Sequence, residues 1–356
     1  MKKLRVAIIG QGRSGKNIHG AFFRSEANDK FEVVAVVDMD EVRRNRAKDL
    51  YEGCEVYSDY TELFGRDDID LVVNSTYSDM HYPVSIDLMN HGFNVLVEKP
   101  MARTRYECED MIKTAKENNV TLAVFQQSFF APFYQDIKNL MASGKLGEIQ
   151  QVSIKYNNFA RRWDWQTLQV KNAGGLYNTG PHPVGFVCDM LGFSDEIKVE
   201  YSKLARCMTS GDSDDFAKAI ITAPGKPVVD LEVISVDAYS PFNVKLFGSR
   251  GCAEYTPTTY KYKYVVDGEN PERPVVIDTL RLENGEPTYC AEKLITHEEE
   301  GKFDGTAFDI GTKNLYNTVY EKIVNGTPLP IGPEHGAKII GVIEAIHAQN
   351  PLERKY

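Results

Sequence analysis

Apolar residues in the first 125 positions gather into short runs that are separated by amphipathic stretches. Five runs have the continuous, β-branched character of strands in a buried parallel sheet, namely LRVAIIG, FEVVAVVD, IDLVVNST, FNVLVEK and VTLAVF. Helical patterns lie between them, as at residues 78–90 and at residues 104–118, where Thr104 is the expected cap. This alternation predicts βαβ units and an α/β, doubly wound dinucleotide-binding domain over residues 1–125.

The pattern changes near Glu148. Runs with strand character then follow one another, separated by turn signals, namely EIQQVSIKYN, IKVEYSKLAR, FAKAIITA, PVVDLEVIS, FNVKLFG and CAEYT. Helical patterns return at residues 307–324 and 333–349, and the acidic stretch HEEEGKFD is predicted to be a solvated loop. Residues 126–356 are therefore expected to form an α+β domain with a mostly antiparallel sheet, whose closing helices could pack back on the first domain.

Composition narrows the possible functions. The 356 residues exceed one ordinary core, and 42% hydrophobic with 26% charged residues is typical of a globular protein. A net charge of −10 without a basic stripe argues against a nucleic-acid partner, and no run reaches membrane-spanning length. Six scattered cysteines without metal-ligand spacing indicate reduced thiols and no bound metal. We expect a cytoplasmic protein.

A glycine-rich motif follows the first predicted strand and opens a helix. The stretch VAIIGQGRSGKN places Gly10, Gly12 and Gly15 as G-x-G-x-x-G. In this context the glycines allow a tight turn, a close approach of the backbone to a pyrophosphate, and close packing of helix on strand. The helix N-terminus favours phosphate binding. The motif predicts a dinucleotide site that includes Arg13 and Ser14.

An acidic residue ends the second predicted strand. Asp38 lies 23 residues after Gly15, close to the spacing of a ribose-binding acid. A carboxylate there accepts the ribose hydroxyls and repels a 2′-phosphate, which favours NAD over NADP. Arg43 and Arg44 lie nearby and weaken that preference.

The stretch NVLVEKPMA places Glu98, Lys99 and Pro100 after another predicted strand. Doubly wound sheets bind their ligands at the carboxyl ends of strands. A lysine held there, away from bulk water, has a lowered pKa and can exchange a proton with an alcohol or a ketone. We expect Glu98 to hold this lysine in place.

The stretch GGLYNTGPHP places Asn178 four residues before His182. An asparagine can orient a substrate hydroxyl but cannot take a proton at neutral pH. The alternative is that Asn178 only caps the helix that begins near Pro181. A neutral residue at 178 would leave the pKa of His182 near its ordinary value of about 6.5.

Both tryptophans of the chain lie in NNFARRWDWQTLQ. Trp163 and Trp165 beside Arg162 suit a sugar ring, with stacking on its C–H face and charged groups on its hydroxyls. A core or subunit-interface cluster explains the stretch equally well. Tyr156 is a further candidate contact.

In combination, the glycine motif, Glu98-Lys99-Pro100, NSTYSDMHYP and the segment ending at His182 resemble the Gfo/Idh/MocA family of glucose–fructose oxidoreductase and inositol dehydrogenase. The resemblance implies a Rossmann domain followed by an open-faced antiparallel sheet, with the nicotinamide across the joint. It also implies homo-oligomers, dimers, tetramers or larger, that act on secondary alcohols of sugars, cyclitols and glycosides.

The resemblance assigns roles by position. Lys99 would transfer the proton and His182 would be the second catalytic residue. Residues implied to line or contact the nucleotide are Ser75, Thr76, Tyr77, His81, Glu98, Lys99 and Gln127. Many relatives carry an aspartate where this chain has Asn178, and the arginines that often follow the position of Gln127 are missing here.

The leading hypothesis is an NAD-dependent dehydrogenase of a sugar, cyclitol or glycoside, with C3 of a glucoside as one candidate position. One alternative is a redox-assisted glycosidase that keeps and recycles its NAD. Another is a non-catalytic sensor of NAD and sugar, which the retention of Lys99 and His182 argues against.

Overall fold

The structure is a computed structural model that describes residues 3–356. Its first sheet has six parallel strands in the spatial order β3-β2-β1-β4-β5-β6. The strands are β1 (Leu4–Ile9), β2 (Phe31–Val37), β3 (Glu55–Tyr57), β4 (Leu71–Asn74), β5 (Val95–Val97) and β6 (Leu122–Val124). The helices around it are α1 (Gly20–Phe23), α2 (Glu41–Leu50), α3 (His81–Asn90) and α4 (Arg105–Glu117). This arrangement confirms the predicted Rossmann-type sheet.

The second sheet has eight strands in the order β14-β13-β12-β11-β7-β10-β9-β8. They are β7 (Ile149–Lys155), β8 (Lys198–Ala205), β9 (Phe216–Thr222), β10 (Val228–Ile234), β11 (Val244–Gly248), β12 (Gly251–Tyr255), β13 (Thr259–Tyr264) and β14 (His297–Lys302). Only β7 and β10 pair in parallel, so the sheet is mostly antiparallel, as predicted. The remaining helices are α5 (Pro132–Ser143), α6 (Gly175–Asn178), α7 (Pro181–Met190), α8 (Thr312–Asn325) and α9 (Pro333–Gln349).

Local capping fixes where several helices begin. The Thr104 side chain accepts from the Glu107 N–H, and the Glu107 carboxylate reaches back to the Thr104 N–H, which closes the predicted capping box of α4. Asp40 accepts from the amides of Val42 and Arg43 at the start of α2. These caps define where α2 and α4 begin, after the strands β2 and β5.

One face of the second sheet is open and carries ion pairs. Lys218 lies 2.8 Å from Glu232, and Lys245 lies 2.7 Å from Glu254. The opposite face packs on α6, α7 and α9. Alternating burial along the strands, as in β9, produces this two-faced sheet.

The prediction that HEEEGKFD forms a loop is wrong. His297–Lys302 is β14, and it pairs with β13, which the sequence pattern did not reveal. Lys263 lies opposite Glu298, and Lys261 lies opposite Glu300, so complementary charges on neighbouring strands support the pairing. The residues of β14 are polar or glycine, so the strand has no apolar residues that would reveal it in the sequence.

Helices α8 and α9 pack against helices of the first domain. The Tyr316 ring of α8 stacks on Phe22 with 4.6 Å between ring centroids. Glu344 of α9 accepts the Arg105 N–H at the start of α4. The boundary between residues 125 and 126 stays a prediction. Among the described residues no helix is long and apolar enough to cross a membrane.

Candidate active site

A cavity of about 1060 Å³ opens at the carboxyl edge of the first sheet. It is bounded by the loops after β1, β4 and β5, by the segment 156–166, and by α6 and the start of α7. The predicted site residues that line it are Gly10, Gly12, Arg13, Ser14, Asp38, Ser75, Thr76, Tyr77, His81, Glu98, Lys99, Gln127, Tyr156, Arg162, Trp163, Asn178 and His182. The fold therefore gathers residues from seven stretches of the chain, at 10–14, 38, 75–81, 98–99, 127, 156–163 and 178–182.

The glycine loop follows β1 and approaches the cavity. Gly10 has a φ of +89°, and a Cβ there would lie 2.5 Å from the Ser75 carbonyl oxygen. Gly15 does not line the cavity, because its role is packing: a Cβ would lie 1.8 Å from the Gly10 carbonyl oxygen. Within residues 3–356, no atom other than those of adjoining residues lies within 4 Å of a Cβ at Gly12, which leaves space beside the loop for a phosphate group.

Asp38 is nearly buried at the end of β2, and backbone amides hold it. Its two carboxylate oxygens accept from the N–H of Gln11 at 2.7 Å and of Asp40 at 2.9 Å. Arg43 lines the cavity, with its Nη1 3.6 Å from the carboxylate. Arg44 instead donates to the carbonyl oxygens of Asp38 and Met39. Of the two arginines, Arg43 alone is placed to meet a nucleotide.

The loop after β4 forms the next wall. Ser75 donates to the carbonyl oxygens of Ile9 and Gly10, so it ties this loop to the glycine loop. His81 is buried, its Nδ1 lies 2.7 Å from the Pro100 oxygen, and burial lowers its pKa. A neutral ring that donates to a carbonyl fastens the two loops together, which agrees with a packing role beside the cavity.

Glu98 is held by His19, a residue outside the motifs that predict the site. His19 Nε2 lies 3.2 Å from Glu98 Oε1, and His19 Nδ1 lies 2.7 Å from the Tyr316 hydroxyl. Burial alone would raise the pKa of Glu98, but the bond from His19 and the charge of Lys99 lower it to about 2. The ionised carboxylate accepts the Lys99 N–H at 3.0 Å. The sequence signal for His19 was its position four residues after Gly15 on the helical turn Gly15–His19.

The Lys99 side chain reaches the end of α6, where Asn178 lies. Its Nζ donates to the Asn178 carbonyl oxygen at 2.8 Å. Burial lowers the pKa of Lys99, Glu98 opposes that shift, and Arg162 and Arg13 lower the pKa further. The lowered pKa makes it easier for the lysine to give up a proton and act as a base.

His182 lies in the first turn of α7, within the same cavity. Its Nδ1 lies 3.0 Å from the Ser128 hydroxyl. Burial, with a further contribution from Lys99, lowers its pKa to about 3. The expected pKa near 6.5 is therefore wrong, because the expectation ignored desolvation, although the ring is neutral at pH 7 as expected.

Asn178 does not cap α7. That helix begins after Gly180 without a side-chain cap, and Asn178 Nδ2 donates to the Gln166 carbonyl oxygen at 2.7 Å. The capping alternative is wrong, since the side chain is used to hold the segment 156–166 at the cavity.

Residues 157–169, the tryptophan segment, form the outer wall of the cavity and do not lie in the core. Trp165 packs edge-on against Tyr77 with 4.9 Å between ring centroids. Trp163 is 79% exposed, yet both rings line the cavity. A buried core cluster is therefore excluded for these rings, and their placement leaves aromatic surface facing a ligand.

Several of these features fit a nicotinamide dinucleotide. Gly12 leaves room for phosphates, and Asp38 presents a fixed carboxylate where a ribose is expected. Gln127 is buried at the cavity, and within residues 3–356 its Oε1 has no hydrogen-bond partner. A buried amide oxygen without a partner is costly, and a donor group on a ligand would satisfy it.

Comparison with known proteins agrees with this geometry. Residues 4–126 match the sequence profile of the GFO_IDH_MocA oxidoreductase family with an NAD-binding Rossmann fold. Residues 134–254 match the GFO/IDH/MocA C-terminal domain. The chain belongs to this family. It is therefore an oxidoreductase with an NAD(P)-binding Rossmann domain.

Individual Gfo/Idh/MocA relatives are distant. An uncharacterized oxidoreductase of Schizosaccharomyces pombe is 26% identical over 66% of this chain and 64% of its own length. The scyllo-inositol 2-dehydrogenase (NADP(+)) IolW of Bacillus subtilis is 23% identical over 96% of this chain and 92% of its own. The crystal structure of GenD2 from gentamicin A biosynthesis, in complex with NAD, superposes with a TM-score of 0.77 at 20% identity over 98% of this chain and 94% of that one.

Proposed function

We propose that the protein is an NAD-dependent dehydrogenase that oxidises a secondary alcohol of a sugar, cyclitol or glycoside. The observation that carries the proposal is the meeting of Lys99 and a neutral His182 in the cavity that the glycine loop and Asp38 also line. The relatives support dehydrogenase chemistry but differ in cofactor: IolW is a scyllo-inositol 2-dehydrogenase (NADP(+)), and GenD2 from gentamicin A biosynthesis has NAD bound in its crystal structure.

The chain's own residues would perform the proton chemistry. NAD, when bound, accepts a hydride from the carbon that bears the hydroxyl. Lys99, with its lowered pKa, takes the hydroxyl proton, and Glu98 fixes the lysine backbone through its N–H. His182 is neutral and offers Nε2 to the same hydroxyl, while Ser128 holds its Nδ1. The amide of Asn178 holds the segment 156–166 at the wall of the cavity.

The cofactor preference rests on Asp38. Its carboxylate is fixed by two amides and would accept the ribose hydroxyls of NAD, whereas a 2′-phosphate would meet a negative charge. Arg43 stands beside it and would be the ligand of that phosphate if NADP bound instead. NAD is therefore the proposed cofactor, and NADP is the less favoured one.

The proposal also covers the substrate, the oligomeric state and the cellular compartment. The substrate is a small sugar-like molecule, C3 of a glucoside is one candidate position, and we expect a homo-oligomer in the cytoplasm. Gel filtration with light scattering would measure the oligomer.

A substrate panel tests the function directly. Sugars, inositols and glycosides are incubated with the protein and either NAD or NADP, and reduced nicotinamide is followed by its absorbance. The proposal predicts net reduction of NAD with at least one member of the panel. Release of an aglycone without net reduction would instead show a glycosidase that recycles NAD, and binding without either product would show a sensor.

A further inference from the structure

Both arginines on the outer wall of the cavity belong to the tryptophan segment, and their guanidinium groups differ in what they contact. Arg161 donates from Nε and Nη2 to the Ser210 hydroxyl at 3.3 and 2.9 Å, so a neighbouring loop holds it. Arg162 also lines the cavity, and within residues 3–356 it has no carboxylate at ion-pairing distance. A guanidinium at a ligand cavity without a counter-charge in its own chain is available to bind an anion.

Arg162 lies in the segment 156–166, which hydrogen bonds tie to the predicted catalytic residues. Asn178 Nδ2 donates to the Gln166 carbonyl oxygen at 2.7 Å, and the Asn178 carbonyl oxygen accepts from Lys99 Nζ at 2.8 Å. Besides burial, the charge of Arg162 lowers the pKa of Lys99. Asp38 and Arg43 line the cavity from the end of β2 and the start of α2. Arg13 follows Gly12 in the glycine loop, where the phosphates of the cofactor are expected. Arg162 belongs to neither of these elements, and it shares its segment with Trp163, the candidate stacking surface.

Two acidic residues that line the cavity, Asp164 and Glu98, accept hydrogen bonds from other groups. Asp164 lines the cavity, yet its Oδ1 accepts the Gln166 N–H and caps the short helical turn Trp165–Thr167. Glu98 is bonded to His19 and to the Lys99 N–H. Trp163 and Trp165 follow Arg162 in the sequence and line the same cavity, so a sugar ring could stack there while an anionic substituent meets the guanidinium.

We infer that the substrate of the proposed dehydrogenase carries a carboxylate or a phosphate group, which Arg162 binds beside the ring that is oxidised. This inference rests on the proposed function, because it identifies the ligand of the same site. A planar carboxylate and a tetrahedral phosphate share one chemistry, because each has two oxygens that can accept parallel N–H donors from a guanidinium. Neutral sugars of the same shape would lack this contact.

Tryptophan fluorescence offers a readout that does not require turnover. The chain has two tryptophans, and both line the cavity, so a ligand that enters should change their emission. NAD-saturated protein is titrated with glucose, glucuronate and glucose 6-phosphate, which differ only in the substituent at one carbon, and isothermal calorimetry repeats the series. We expect at least one of the two anions to bind at least ten-fold tighter than glucose, and the preferred one identifies the group.

Two variants test whether Arg162 is the cause. Arg162→Gln should bring the affinity ratio of anion to glucose down to about one to three, since the neutral amide keeps a polar side chain but loses the charge. Arg206→Gln is the matched control, because Arg206 lies outside the cavity and donates to the Glu353 carbonyl oxygen. It should keep the ratio of the wild type.

Several results would overturn the inference. In the wild type, these are equal affinities for glucose and both anions, or a failure of all three ligands to bind. In Arg162→Gln, they are an anion preference that survives, or a loss of NAD affinity as large as the loss of anion affinity. The last result would assign Arg162 to the phosphates of the cofactor. If an anion binds through Arg162 but no member of the panel reduces NAD or NADP, the anion site stands and the dehydrogenase proposal fails.

Discussion

At the scale of single residues, Asn178 links the two parts of the site. Its side chain donates to the Gln166 carbonyl oxygen, and its own carbonyl oxygen accepts from Lys99 Nζ. An aspartate at this position would lose the donor to Gln166 and would place a negative charge near Lys99 and His182. The asparagine keeps both groups in an environment that favours their neutral forms.

Asn178→Asp should therefore shift the pH dependence of the reaction. The added carboxylate raises the pKa of both Lys99 and His182, because it stabilises their cationic forms. Oxidation requires a neutral Lys99, so the acidic limb of the kcat/KM profile should move to higher pH. Asn178→Ala serves as the control: it removes the Gln166 bond without adding charge, and it should mainly raise KM. A profile that does not move in Asn178→Asp would show that neither group governs that limb.

The cofactor preference is a second prediction at this scale. Wild-type protein should bind NAD at least ten-fold tighter than NADP, a difference of about 1.4 kcal/mol. Asp38→Asn removes the charge but keeps an acceptor for the Gln11 N–H, and it should narrow that gap mainly by admitting NADP. In the double variant Asp38→Asn with Arg43→Gln, the gain in NADP affinity should disappear. Equal affinities in the wild type, measured by calorimetry, would contradict the role of Asp38.

At the scale of elements, the short helix α6 depends on a buried carboxyl group. The Leu176 N–H donates to Asp214 Oδ2 at 2.8 Å, and the Gly175 N–H donates to the Asp214 carbonyl oxygen at 2.7 Å. Gly174 has a φ of +131°, and a Cβ there would lie 2.3 Å from Asp214 Oδ1. Asp214 therefore positions the helix that carries Asn178.

Burial raises the pKa of Asp214 to about 7, and this shift predicts a pH dependence of stability. The folded protein binds this proton more tightly than the unfolded chain, whose pKa is about 3.9. The free energy of unfolding therefore falls as pH rises from about 4 to about 7, by on the order of 4 kcal/mol from this group.

Asp214→Asn should flatten that dependence, because the amide does not titrate and its oxygen still accepts the Leu176 N–H. Urea unfolding of both proteins across this pH range measures the difference in slope. Identical slopes would mean that Asp214 is ionised in the folded protein at all these pH values.

Local patterns explain which elements the sequence predicted. The buried strands β1, β2, β4, β5 and β6 are continuous apolar runs, and α4 carries its cap and its apolar stripe in adjacent positions, so local sequence suffices. Strands β13 and β14 are stabilised by charges that lie opposite each other across more than thirty residues of chain. Such pairing exists only in three dimensions, and no local period reveals it.

The same distinction holds within the site. Residues in recognisable motifs, such as Gly12, Lys99 and His182, were predicted and do line one cavity. The contribution of His19 to Glu98 depends on Tyr316, which lies 297 residues further along the chain, and desolvation of His182 depends on the complete fold. Neither can be deduced from spacing.

At the scale of the whole molecule, helix α8 returns to the first sheet and supports the catalytic loop. Burial raises the pKa of Tyr316 well above its ordinary value, so its hydroxyl stays protonated and donates to His19 Nδ1. His19 in turn donates from Nε2 to the Glu98 carboxylate, which can only accept. A helix near the end of the chain thus orients a side chain next to Lys99.

Tyr316→Phe tests this connection. It leaves His19 Nδ1 buried without its partner, which should lower the free energy of unfolding by about 1–3 kcal/mol in urea titrations. Tyr106→Phe is the control, because Tyr106 is 75% exposed and its change should cost less than about 0.5 kcal/mol. Equal effects of the two substitutions would show that the hydroxyl of Tyr316 contributes nothing specific.

The most direct test of the central claim compares Lys99→Met with the wild type on the best substrate of the panel. Methionine keeps an unbranched side chain that is one atom shorter, and it removes the amine that exchanges the proton. The account predicts that NAD affinity, measured by calorimetry, stays within about three-fold while kcat falls by roughly 10²–10⁴-fold, the usual contribution of a general acid–base group. A variant that binds NAD and turns over substrate at the wild-type rate would contradict the assignment of proton transfer to Lys99.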